Sequence, residues 1–154
     1  MEKEEIDFLK EKEEKMNGKI TFRSFATWFA SNTGIIREHG VIFYKIKDVC
    51  YYEDFEHRNT ILGIPMPETK WEKENPYKKY ESCFELANVE SIFQVKQSLA
   101  RKIAELGLTT PAPKANMVDK VISKLVTQIV LNTGEILFME LIDYKKLENL
   151  VSNT

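Results

Sequence analysis

Apolar and polar residues alternate most legibly in the last third of the chain. From Val121 to Leu131 the sequence is rich in β-branched residues. Leu125, Thr127, Ile129 and Leu131 share one parity; Lys124, Val126, Gln128 and Val130 share the other. Neither parity is wholly polar, so the pattern predicts a strand covered in part on both faces. Asn132-Thr133-Gly134 supplies turn chemistry for a bulged three-residue hairpin, and Glu135 to Leu141 is the return strand. Asp143 is placed to cap a final helix by accepting a backbone N–H. Ile142 and Leu147 have the spacing of a hydrophobic staple around that cap. Tyr144, Leu147, Leu150 and Val151 then fall on one helical stripe, which must lie against the sheet.

Upstream the pattern is less uniform. Glu2 to Met16 predicts a charge-dense helix with a thin stripe of Ile6, Leu9 and Met16, off whose centre Phe8 falls. Such a segment is expected to be a solvated helix or a frayed arm; the sharper alternative is a partner helix that joins two copies into a homo-oligomer. Asn17-Gly18 ends it. Ile20 to Ala30 fits two periods: Phe22, Phe25, Ala26 and Phe29 suit a helix face, while Ile20, Phe22 and Trp28 suit a strand face. The favoured expectation is a short helix from about Ser24, terminated by Asn32-Thr33-Gly34. Ile35 to Ile46 predicts strand, turn and strand, and Val49 to Tyr52 a further strand. Ile42, Tyr44 and Ile46 form the expected core face, with Phe43, Lys45 and Lys47 on the other.

Asp54 to Lys79 is polar and punctuated by Pro65, Pro67 and Pro76, and Trp71 stands in a stretch that alternates charges with aromatics. A long loop or insertion is expected there, of the kind that carries function, which makes Trp71 a binding candidate. Cys83 to Leu86 and Ser91 to Val95 predict short strands. Ser98 to Leu106 predicts one or two helical turns with Leu99, Ile103 and Leu106 aligned. Gly107 to Asn116, which contains Pro111 and Pro113, is expected to be a mobile connector.

Composition narrows the function classes. The chain has 154 residues, a size suited to one domain with its own core. It is 43% hydrophobic and 30% charged with a net charge of −2, an ordinary globular balance that points to no nucleic acid. Lysines and Arg101 between Lys96 and Lys124 make that region locally basic, but no aromatics interleave with them. No apolar run approaches a membrane span, and Met1-Glu2-Lys3-Glu4-Glu5 is unlike a signal peptide, so the cytoplasm is the expected compartment. Cys50 and Cys83 form no CxxC motif and are expected to be reduced and buried or half-buried. His39, His57, Cys50 and Cys83 have no metal-site spacing, so neither a metal nor a cofactor is expected. No G-x-S-x-G elbow and no glycine-rich phosphate loop occurs, and a Cys50–His57 pair would still need an orienting group. A small enzyme would have to use an aromatic pocket near Tyr51, Tyr52, His57 and Trp71.

The order of elements resembles a pleckstrin-homology-like module, including its bacterial versions and the related GRAM domains. Val41–Tyr52 resembles an early strand pair of that fold, Leu86–Ile92 the approach to a later strand, and Ile129–Val151 the closing strand, turn, strand and helix. The resemblance covers roughly residues 35–151. It implies an α+β fold: a bent antiparallel β-sheet or partly open barrel closed by the C-terminal helix. Residues 1–34 would be an N-terminal helical extension, and residues 35–154 the module, with insertions near 56–80 and 98–120. It also implies a non-catalytic interaction module with a protein partner or an assembly role. In lipid-binding members, basic residues of the first hairpin hold phosphoinositide phosphates. Arg37, Lys45 and Lys47 lie at loosely similar places and imply, as the alternative, a peripheral anionic-lipid binder. The last basic position is usually arginine in the family and is lysine here, and Glu38 and Asp48 stand nearby.

Overall fold

The computed structural model describes residues 3–38, 40–54, 60–61, 64–65, 67, 70–74 and 79–152. Helix α1 spans Lys3–Met16. Four strands follow: β1 (Ile20–Ser31), β2 (Ile35–Arg37), β3 (Val41–Ile46) and β4 (Val49–Asp54). A small separate hairpin, β5 (Thr60–Ile61) and β6 (Ile64–Pro65), precedes the short helix α2 (Lys70–Glu74). Then come β7 (Glu81–Glu85), a 3-10 turn (Leu86–Asn88), β8 (Val89–Lys96), α3 (Gln97–Leu106) and α4 (Met117–Ile122). The chain closes with β9 (Leu125–Leu131), β10 (Ile136–Leu141) and α5 (Tyr144–Ser152).

The fold is α+β, as expected, with one antiparallel eight-stranded sheet in the order β7-β4-β3-β1-β10-β9-β8, β2 pairing beside β1. The sheet is open and not a closed barrel: β7 and β8 are its two edges. The 3-10 turn Leu86–Asn88 joins these edges directly. The Leu86 N–H donates to the Asp48 carbonyl (2.9 Å), and the Asn88 carbonyl accepts from the Asn132 N–H (2.8 Å). Both ends of the sheet are thereby tied to one short piece of chain.

Strand β1 corrects the helix expected from Ser24. Its first half pairs with β3 (Phe22 opposite Lys45, Ala26 opposite Val41), and its second half pairs with β10 (Phe29 opposite Met139, Ser31 opposite Leu137). The register with β10 shifts between Ala26 and Phe29. A shift of this kind flips the parity of a strand. As a result Phe22, Ala26 and Phe29 all enter the same core cluster. Their spacing of four and three imitates a helix although the backbone is extended. Asn32-Thr33-Gly34 is therefore a strand-to-strand turn, with Gly34 at φ +92°, and Asn132-Thr133-Gly134 repeats it with Gly134 at φ +92°. The two turns are cross-linked: the Asn32 side-chain amide donates to the Gly134 carbonyl (3.1 Å), and Asn32 Oδ1 accepts from the Ile136 N–H (3.0 Å).

Three apolar layers cover the sheet. Inside the bend lie Phe22, Phe29, Phe43, Tyr52, Phe84, Ile129, Leu137 and Met139. Helix α5 lies there too: Leu147 is 1% exposed, and Tyr144, Leu150 and Val151 pack against the same cluster, as the stripe predicts. On the outer side of the β8–β10 half, Ala100, Ile103 and Ala104 of α3 pack with Trp28, Val126, Ile136 and Phe138; Leu106 is exposed instead. On the outer side of β3, α1 covers Ile42, Tyr44 and Ile46 with Leu9, Phe8 and Met16. The helix is thus packed on the body, and the half-buried Phe8, rather than Ile6, joins Leu9 on its inward side. The turn from α1 into β1 is tight: a Cβ on Gly18 would stand 2.5 Å from Ile46 Cγ2, so no larger residue fits without displacement.

Three further expectations change. The region 121–131 is not one strand; Met117–Ile122 is helical because Asn116 and Asp119 form a reciprocal capping box, and β9 begins at Leu125. The connector 107–116 is held, since the buried Gln128 amide accepts from the Ala112 N–H (2.8 Å) and donates to its carbonyl (3.1 Å). Before α5, Ile142 is 70% exposed and does not staple onto Leu147; the Asp143 carbonyl receives the Lys146 and Leu147 N–H groups. Leu147→Ala is expected to destabilise the fold by about 3 kcal/mol, because it empties a packed site. Ile142→Ala should stay within about 0.5 kcal/mol of the parent. Urea unfolding midpoints of the two variants check both.

Candidate interaction surface

Of the basic residues expected to form one phosphate site, only Lys45 lies on β3. Arg37 stands on β2, near the Val41–Asp54 end of the β3–β4 pair. Its Nε lies 3.8 Å from Asp54 Oδ2, and its guanidinium covers the Tyr80 ring at 5.8 Å. Lys45 donates to Thr21 Oγ1 (3.2 Å). Lys47 is exposed in the turn at the other end of β3, with φ +56°. The structure brings Lys45 and Lys47 near one end and leaves Arg37, already paired, at the other. Trp71 belongs to α2, and its indole lies outside what is described. His39 and His57 lie outside the described residues as well.

Tyr51 and Tyr52 do not converge either. Tyr51 points outward and stacks on Tyr44 (centroids 5.4 Å apart, planes at 16°). Tyr52 points into the bend against Phe29 at 5.3 Å. Adjacent strand residues face opposite sides, so these two cannot line one pocket. Cys50 is buried opposite Phe84, and burial pushes its thiol up to about 12, which leaves it protonated and a poor nucleophile. Cys83, expected to be at least half-buried, is exposed, because β7 is an edge strand. Among the described residues, no group of three or more His, Cys, Asp or Glu is placed to hold a metal ion. No helix among them is long and apolar enough to cross a membrane.

Two features escape the sequence reading. The first is a charge cluster beside α1, in which Glu53 and Lys12 are buried and Lys79 is exposed. Glu53 Oε1 accepts from Lys79 Nζ (2.7 Å) and pairs with Lys12 Nζ (3.3 Å), while Glu53 Oε2 accepts from the Tyr44 hydroxyl (3.0 Å). The Phe8 ring lies 5.1 Å from Lys12 Nζ and 5.7 Å from Lys79 Nζ. Burial raises the Glu53 carboxyl, but the Lys79 hydrogen bond, the charges of Lys12 and Lys79 and the Tyr44 hydroxyl outweigh it, so the net direction is downward. The Tyr44 hydroxyl is pushed well up, first by burial and then by the Glu53 charge, and remains a donor. The partners lie far apart in sequence, and no local spacing signals the cluster. Its lysines and carboxylate satisfy one another and leave no reactive group free, so it fastens α1 to β3 and β4.

The second feature is α4. None of its six residues is buried. Met117, Val118, Val121 and Ile122 are exposed by 83, 62, 84 and 74%. At 100° per residue these four share one side of the helix, with Asp119 and Lys120 on the rest. Asp119 faces the body, where its carboxylate lies 3.5 Å from Lys96 Nζ. The usual amphipathic arrangement is therefore reversed: the polar side is anchored and the apolar side meets solvent. Ile142, exposed by 70%, follows β10 directly, and its N–H donates to the Phe25 carbonyl (3.3 Å). Lys124 pairs with Glu140 (3.2 Å). The sequence signal was present in Asn116-x-x-Asp119, a cap followed by an apolar run. No family model matches the chain, and no curated protein matches it.

Removing the Glu53 carboxylate leaves the Lys12 ammonium in a poorly solvated site. Glu53→Ala is expected to cost about 3 kcal/mol in chemical denaturation, with α1 amides losing hydrogen-exchange protection first. The lowered Glu53 pKa also sets a sign: its stabilisation is complete above the unfolded value of 4.5 and is lost as pH falls below that. Unfolding curves between neutral pH and acid should show the parent losing more stability below 4.5 than Glu53→Gln does.

Proposed function

We propose that the chain is a non-catalytic interaction module of pleckstrin-homology-like build, and that it engages its partner through the outward apolar side of α4. The build is supported by strand order. Four strands (β1, β3, β4, β7) and three strands (β8, β9, β10) form two meanders joined through β1 and β10, with a C-terminal helix inside the bend. The interaction reading rests on one observation, the reversed amphipathicity of α4. Exposed apolar side chains grouped on one ordered element lose free energy when water is removed from them, and monomeric surfaces rarely group them so.

A single phosphate site of Arg37, Lys45 and Lys47 has less support, since Arg37 and Lys47 stand near opposite ends of β3 and Arg37 faces Asp54 and Tyr80. A small enzyme with a site around Tyr51, Tyr52, His57 and Trp71 draws no support from its two tyrosines, whose rings face opposite sides of the sheet; His57 and the Trp71 indole lie outside the described residues.

In-cell photo-crosslinking tests the reading. A photoactivatable amino acid at position 121 of the full chain should give a discrete adduct, whether protein or lipid. The same group at position 10, exposed on α1, should give none. Absence of any adduct at position 121 overturns the proposal.

A further inference from the structure

Helix α4 carries its apolar side chains on a ridge. With none of its residues buried, it stands off the body, anchored by the Asp119–Lys96 pair and the Ala115 N–H to Gln94 carbonyl hydrogen bond (2.8 Å). A protein partner would need a matching groove for such a ridge; a fluid bilayer receives it without one.

The charges around the ridge select between occupants. From Lys114 to Lys124 three lysines accompany a single acid, Asp119. That acid is turned toward Lys96, its carboxylate side chain 16% exposed. Glu140, the next carboxylate at this end of the sheet, is held by Lys124, and Asp143 lies 3.7 Å from Lys146 Nζ. Lys114 and Lys120 are exposed and have no ion-pair partner among the described residues. The ridge therefore presents apolar side chains flanked by cations, while its neighbouring carboxylates are paired. Two copies meeting through this face would bring their lysines together, which disfavours self-association. An anionic surface is favoured instead, because lysine side chains keep their charge at headgroup level while apolar neighbours enter the acyl boundary.

We infer that α4 is a membrane-docking ridge: Met117, Val118, Val121 and Ile122 enter the interface of an anionic bilayer, and Lys114 and Lys120 meet its lipid headgroups. This rests on the docking reading of α4 and names its partner. It places lipid contact away from the β3 cations, at the start of β9.

The test is sedimentation of the full chain with vesicles of phosphatidylcholine alone, or of phosphatidylcholine with about one-third phosphatidylglycerol. Binding to the anionic vesicles should exceed binding to the neutral ones by about tenfold at low salt and should fall as salt rises. Val121→Asp with Ile122→Asp should lower it about tenfold, and Lys114→Gln with Lys120→Gln should remove its salt dependence. These positions are exposed, so both variants should keep the parental unfolding midpoint, which is measured alongside. Binding that survives the Val121→Asp, Ile122→Asp change overturns the inference, because another surface then carries it. No vesicle binding, with a protein adduct still formed from position 121, overturns the lipid assignment and leaves the docking reading standing. A concentration-dependent dimer abolished by the same aspartates assigns the ridge to a second copy and overturns it likewise. Failure of both vesicle binding and crosslinking removes the two readings together.

Discussion

The fold depends on β1 serving both halves of the sheet. Its twelve residues pair with β3 at one end and with β10 at the other, and the register shift between Ala26 and Phe29 falls where the partner changes. A bulged strand bends and twists more than a regular one. Here that bend turns two antiparallel meanders toward each other, so that Phe22 and Phe43 from one half meet Leu137 and Met139 from the other. The remaining opening is filled by α5. Edge strands β7 and β8 stay unpaired with one another, yet only the turn Leu86–Asn88 separates them in sequence. The sheet is therefore open in hydrogen bonding but constrained by its chain.

Bending one sheet leaves its outer surface to be covered, and the protein uses two helices for this. Helix α3 contributes small residues, Ala100 and Ala104, which allow close approach to Trp28 and Phe138. Helix α1 contributes a single buried apolar residue, Leu9, together with the buried Glu5 and Lys12. Its attachment therefore depends on charge pairing to a degree that α3 does not. Lys12 and Lys79 meet Glu53, and Glu5 lies 3.5 Å from Arg23. A buried ion pair is a poor source of net stability, since desolvation offsets attraction, but it fixes orientation. In this molecule it sets how a mostly polar helix sits over Ile42, Tyr44 and Ile46.

Helix α4 is the exception to this covering. It is ordered by its own cap and by the Lys96 pair, and no core holds it. The capping box accounts for its formation at this point in the chain, and the absence of any buried residue accounts for its exposed apolar side. A short helix with both properties leaves its apolar side chains to solvent, and the docking proposal rests on that.

Local pattern determined much of the architecture. The closing hairpin, its Asn132-Thr133-Gly134 turn and the Tyr144/Leu147/Leu150/Val151 stripe each report a contact to a neighbouring element and each forms, although the strand expected from Val121 begins only at Leu125. Ile42, Tyr44 and Ile46 were legible as a buried face for the same reason, although the opposite face, with Val41 and Phe43, is buried as well. Tertiary structure decided the rest. Ile20–Ser31 is a strand because β3 and β10 pair with it, and the register shift after Ala26 brings Phe29 to the side of Phe22 and Ala26 at helix-like spacing. Periodicity alone cannot separate those two cases. Glu53, Lys12 and Lys79 come together because α1 folds across β3 and β4, and the expected Arg37, Lys45 and Lys47 set separates because a six-residue strand keeps its ends apart. Pairwise distance in space is set by the sheet, and the linear order of charges carries no record of it.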